Sequence, residues 1–203
     1  MNDTKERILT TALQLFARDG YEAVSVSDIA QALGMTKGAL YKHYKNKRDI
    51  FDSMIQRMLE MDGSAARQYG MPEQVFQADE SGYGQVDWDE LKRFTLAQFR
   101  FWTEDDFARP VRRMLALEQH RSEEMNRLYH EMLVSGPVLY LADIFRTMME
   151  NGRMKPGDAH ALALHFYAPM FLLIAMSDGR ADSADPLPTL GRQIDDFIGR
   201  WRA

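Results

Sequence analysis

The chain contains no cysteine. That absence excludes disulfides, thiolate nucleophiles and thiolate metal sites, and it fits a reducing, cytoplasmic setting. The N-terminal stretch "MNDTKERILTTALQLF" is charged from its start and lacks the basic, apolar and small-residue blocks of a secretory leader, so export is not expected. The longest apolar run, Ala161 to Met176, is interrupted by His165 and Pro169 and falls short of the roughly 20 residues that span a bilayer. A packed helix is the expectation, with no membrane partner. Also missing are alternating strand patterns, internal repeats and low-complexity tracts. No H-E-x-x-H, G-x-S-x-G or E-x-x-H run occurs, which removes the commonest helical metal and nucleophile signatures. Neither an enzyme nor a metal or other cofactor is therefore expected.

What remains is an ordinary globular composition: 203 residues, 45% hydrophobic and 27% charged, with a net charge of −5. The charge is unevenly placed. Residues 1–50 carry eight Lys/Arg against six Asp/Glu, whereas residues 51–203 carry 17 against 24. Such a split suggests two regions that meet different partners. Hydrophobic spacing is helical almost throughout: Ile8, Leu9, Ala12, Leu13, Phe16 and Ala17 fall on one face before Gly20. Ser25 with Asp28 has the form of a capping box opening a short helix that Gly34 ends, and Thr36 opens "KGALYKHY" as a third. A fourth helix follows from "NKRDIF", with Ile50, Phe51, Met54, Ile55 and Met58 in one stripe. The glycine- and proline-containing stretch 70–86 reads as a loop, and further helices are expected near 87–103, 107–120, 123–150, 158–178 and 187–202. Pro137 should kink or split the long one. The fold class is all-α.

Two short helices joined by a glycine turn make a helix-turn-helix, whose second helix enters the DNA major groove while the first crosses the backbone. Each side chain in "TKGALYKHYKNKRD" then acquires a role. Ser25 and Ser27 begin the crossing helix; Thr36 caps the recognition helix and offers a hydroxyl to phosphate; Lys37 meets a base edge or a phosphate. Gly38 lets the backbone approach closely. Tyr41 offers a phenol on the same face, Lys42 and His43 flank it, and Lys47 and Arg48 add charge. Leu40 and Tyr44 should point inward.

The run "VSVSDIAQALGMTKGALYKHYKNKRDIF" resembles the DNA-binding domain of TetR-family transcriptional regulators, the resemblance covering residues 4–58. It is carried by Ile29-Ala30, Gly34, Thr36, Gly38, Leu40-Tyr41, Tyr44 and Lys47; Tyr44 and Met35 stand where phenylalanine and valine are commoner. In that family Thr36, Lys37, Gly38, Tyr41, His43 and Lys47 correspond to DNA-contacting positions. The resemblance implies an N-terminal three-helix DNA-binding domain over residues 1–50, a linking helix over about 48–69, and a larger helical effector-binding and dimerisation domain over 51–203. It implies a homodimer, formed through the helices near 158–178 and 187–202, that binds a palindromic double-stranded operator.

In the larger region aromatics and methionines are abundant, a composition suited to adaptable apolar pockets as well as to plain core. Phe99, Trp102, Met114, Leu117, Met125, Tyr129, Phe166 and Met170 are the candidate lining of a site for a hydrophobic or aromatic small molecule. Glu118, His120, Arg121, His130, His160 and His165 are candidate polar anchors. The resulting reading is a repressor released by such an effector; the alternative is a constitutive or architectural DNA-binding protein without a switch.

Overall fold

The computed structural model describes residues 3–72, 86–178 and 185–203, and the loop expected over 70–86 lies largely outside the described residues. The described residues hold helices α1 (Asp3–Asp19), α2 (Val26–Ala32), α3 (Lys37–Leu40), α4 (Lys47–Gln68), α5 (Trp88–Glu104), α6 (Ala108–Glu118), α7 (Glu123–Leu133), α8 (Ser135–Glu150), α9 (Ala159–Ser177) and α10 (Leu187–Trp201). No strand occurs among them, so the protein is all-α as its periodicity implies. The expected 123–150 helix is split at Val134. Pro137 has no N–H to give the preceding turn, and Gly136 sits so close to the Glu131 carbonyl that no Cβ would fit.

The chain divides into two compact units. The first comprises residues 1–61 and 105–129; the second comprises 62–104 and 130–203. This differs from a single cut near residue 50, because α6 packs on α1 and so belongs with the N-terminal helices.

In the first unit, the stripe predicted for α1 is buried: Ile8, Leu9, Ala12, Leu13 and Phe16. They meet Ile29 and Ala30 of α2, Leu40 of α3, and Ile50, Phe51, Met54 and Met58 of α4 in one apolar core. Each large apolar side chain buried there contributes about 1.5–3 kcal/mol. Tyr21 is wedged between Phe16 and Phe51, with ring centroids 5.1 and 5.0 Å away. Gly20 ends α1 at φ 90°, and the space a Cβ would occupy is taken by the Glu118–Arg121 ion pair.

In the second unit, α8 packs on α9, and α10 packs on both α5 and α9. Trp88, Phe145, Phe166 and Phe197 form a connected aromatic core, the Phe145 and Phe197 rings lying 5.5 Å apart and the Phe166 and Phe197 rings 5.0 Å. Asp158 caps α9 by accepting from the amides of His160 and Ala161. By length and composition α9 is apolar enough to cross a membrane, yet Leu162, Ala163, Phe166, Tyr167, Met170 and Ile174 are buried against the rest of this unit.

Candidate nucleic-acid interface

The helix-turn-helix is built by local chemistry. Ser25 forms a complete capping box: its hydroxyl oxygen accepts from the Asp28 amide at 3.3 Å, while its own amide donates to the Asp28 carboxylate at 2.8 Å. Those bonds hold the Asp28 carboxyl below the usual carboxylate range. The turn out of α2 is a Schellman closure. Gly34, at φ 64°, donates to Gln31 O at 3.0 Å, and Met35 donates to Ala30 O at 2.9 Å. Thr36 then caps α3 by accepting from the Ala39 amide at 3.2 Å.

The regular part of α3 is shorter than the expected "KGALYKHY". It stops at Leu40, and Tyr41, Lys42, His43 and Tyr44 continue as turns, their amides reaching back to residues 37–40. The buried Leu40 and Tyr44 act as two pegs: Leu40 is wholly inaccessible, and the Tyr44 hydroxyl donates to Lys5 O at 3.3 Å. Burial pushes the Tyr44 phenol up to about 12, so it stays a neutral donor.

These pegs leave one side of the recognition element outside. Thr36, Lys37, Gly38, Tyr41 and Lys42 are exposed, and the Tyr41 ring is 50% accessible. Because the Thr36 hydroxyl uses its oxygen as the cap acceptor, its proton remains available to a phosphate. Lys37, Lys42 and Lys45 are exposed and enter no ion pair among the described residues. Gly38 has no left-handed backbone, and a Cβ there would meet only the Thr36 hydroxyl at 3.9 Å. Among the described residues nothing requires glycine at 38.

Other predicted contact residues are placed differently. Ser25 directs its hydroxyl proton to Asp28 at 2.7 Å, so that proton is already used. Ser27 and His43 are half-buried. The Lys47 ammonium donates to Tyr21 O at 2.9 Å and lies 4.2 Å from the centroid of the Tyr21 ring. Arg48 turns from the recognition element altogether: it binds Asp52 at 2.6 Å and Glu124 through both ends of its fork at 2.5 and 2.6 Å.

The predicted effector-site residues fall on both units. Phe99, Trp102, Phe166 and Met170 are buried in the second, Met114 and Met125 are buried in the first, and Tyr129 is half-buried in the first. Leu117 is not interior: at 48% accessible it faces solvent, because α6 turns the Met114 and Leu115 side inward. Of the candidate polar anchors, Glu118 is buried and paired with Arg121 at 2.8 Å. His120 and Arg121 border an open surface depression of about 370 Å³ at the α6–α7 turn. His160 and His165 are exposed, and His130 is half-buried.

The apolar stripes on the last helices also face inward. Phe166 and Met170 of α9, and Leu190, Ile194, Phe197 and Ile198 of α10, are consumed within the chain's own core. A different side of α9 is left outside, made of Ala161, Leu164, His165, Ala168, Leu172, Ala175 and Met176. Leu164, Leu172 and Met176 are each more than half accessible. Sequence periodicity missed this side because α9 is apolar nearly all round.

Residues 8–54 match the family model described as bacterial regulatory proteins, tetR family. Over those residues the chain carries a TetR-family domain. The HTH-type transcriptional repressor BepR of Brucella suis is 42% identical over 55 residues, which is 27% of this chain and 26% of BepR. The first curated relatives are matched over only 21–26% of their own length. Similarity in fold is far wider. The TetR-family regulator PfmR of Thermus thermophilus is 28% identical with a TM-score of 0.64, covering 96% of this chain and 97% of PfmR. SmeT, solved as a complex with triclosan, gives a TM-score of 0.68 at 18% identity, covering 98% of this chain and 92% of SmeT.

Proposed function

We propose that this chain is a homodimeric DNA-binding transcriptional repressor of the TetR family that leaves a palindromic operator when a hydrophobic or aromatic small molecule binds. One observation carries the reading. Thr36, Lys37, Gly38, Tyr41 and Lys42 form an exposed set on a helix-turn-helix, and the set has no structural use for its glycine, its free hydroxyl proton or its unpaired ammonium groups. Phosphate contacts position such an element, and side chains at the helix start read base edges. Lys47 serves the interface indirectly, by clamping the Tyr21 segment beneath it.

Dimerisation is supported by the outward side of α9, where leucines and a methionine stand exposed with small alanines between them. Two copies joined there would present two recognition elements, and a two-fold dimer gains affinity by holding two half-sites. Repression is supported by the name of BepR, and an effector site by the triclosan complex of SmeT. Effector and DNA must weaken one another by the same factor.

The test is binding of the purified protein to DNA flanking its own gene, over a series of salt concentrations. Saturable, sequence-selective binding that weakens with salt is expected. Equal binding to scrambled DNA would overturn the operator reading.

A further inference from the structure

The core of the second unit contains a polar defect that its folding does not need. Gln98 on α5 is 8% accessible. Its amide nitrogen donates to Asp62 Oδ1 at 2.8 Å, but its carbonyl oxygen Oε1 is buried without any hydrogen-bond partner. Asp62 is itself half-buried on α4, and no lysine or arginine pairs with it among the described residues. Burial raises its carboxyl above the ordinary value, with the Gln98 bond only partly opposing this. An unpaired buried acceptor and an unmatched carboxylate are both costly, and leucine at position 98 would avoid the first cost.

The surroundings are aromatic. Phe94 and Trp102 lie one turn before and after Gln98 on the same side of α5, and Tyr69 follows directly on the C-terminal end of α4, the helix that carries Asp62. The Tyr69 and Tyr140 rings stand 6.2 and 6.4 Å from Phe94, and all three residues are half-buried. Two adjacent acceptors beside half-buried aromatic rings are complementary to one kind of group: a cation that carries N–H donors on an apolar body.

We propose that Asp62 and Gln98 anchor the ammonium group of an amphipathic amine effector, one N–H going to Gln98 Oε1 and another to the Asp62 carboxylate. This rests on the effector reading above and narrows its ligand class from apolar to cationic-amphipathic. The tyrosine and phenylalanine faces receive the apolar body of the ligand.

The test uses three probes with one carbon frame, phenylbutylamine, phenylbutanol and phenylbutyrate, titrated into the full chain by calorimetry. The amine should bind at least about tenfold more tightly than either other probe, as expected for hydrogen bonds to charged groups. Asp62→Asn and Gln98→Leu should each bring the amine down to the affinity of the alcohol measured on the same variant. Both ligand-free variants should keep the helical circular dichroism of the parent, which shows that they still fold. Equal binding of all three probes, or an amine preference that survives both substitutions, would overturn the proposal and leave the apolar-effector reading standing. Absence of amine binding would overturn it too, and absence of alcohol binding as well would count against the effector reading.

Discussion

The two ends of this chain expose opposite chemistry. Around α3 the outward side chains are Thr36, Lys37, Tyr41 and Lys42, which are hydrogen-bond donors; along α9 they are Leu164, Leu172 and Met176, which offer none. A donor-rich surface is useful only against an acceptor-rich partner such as phosphate, and an apolar one only against another apolar surface. On the proposed reading, DNA meets the α3 surface and a second copy of the chain meets the α9 surface.

The largest expected effect breaks the apolar end. Leu172→Asp would place a charge in the middle of the proposed dimer face, and the protein should sediment as a monomer. Operator affinity should then fall by at least about 100-fold, since losing a central interface contact costs about 2 kcal/mol or more and one half-site is held alone. A dimer that survives this substitution would move the interface elsewhere.

Breaking the donor end should be smaller and more selective. Lys37→Ala should cost about 1–3 kcal/mol of operator binding if it reads a base, or act uniformly across sequences with a shallower salt dependence if it meets phosphate. Tm and sedimentation should not change in either case. That separation from Leu172→Asp, which alters assembly first, is what sharpens the comparison.

Gly20→Ala addresses the support beneath the donor end. At φ 90° an L side chain is strained, and its Cβ would collide with the Glu118–Arg121 pair. A stability loss of more than about 1 kcal/mol by urea unfolding is expected.

The smallest effect is acid sensitivity. Asp28, bonded to Ser25, and Glu124, bonded to Arg48, both have carboxyls held below their ordinary values. A depressed carboxyl stabilises the folded state when ionised, so its contribution is complete above about pH 5 and disappears as pH falls through the folded-state value. Glu124→Gln should flatten the fall in Tm below about pH 5 without changing DNA binding at neutral pH. An unchanged acid profile would remove Glu124 from the account.

The donor end was largely legible in the sequence because its determinants are local. Ser25 and Asp28, Gly34, and Thr36 act within three or four residues, so their spacing alone specifies caps and turns. The split near Pro137 was legible for the same reason. Local spacing could not show that α6 joins the N-terminal unit, or that Leu117 faces solvent, since both follow from which neighbour a helix packs against. Lys47 read as free charge until its ammonium was seen on Tyr21 O. Asp62 and Gln98 gave no signal at all, because an acidic residue and an amide on separate helices look like solvated positions until burial brings them together.

The central claim is that the donor set on α3 reads a two-fold DNA site, and the most direct measurement is a titration of the flanking DNA with intact and half-deleted palindromes. The account predicts saturable binding to the intact palindrome, at least about 100-fold weaker binding to the half site, and steep weakening with salt. Equal affinity for intact, half and scrambled DNA would contradict it.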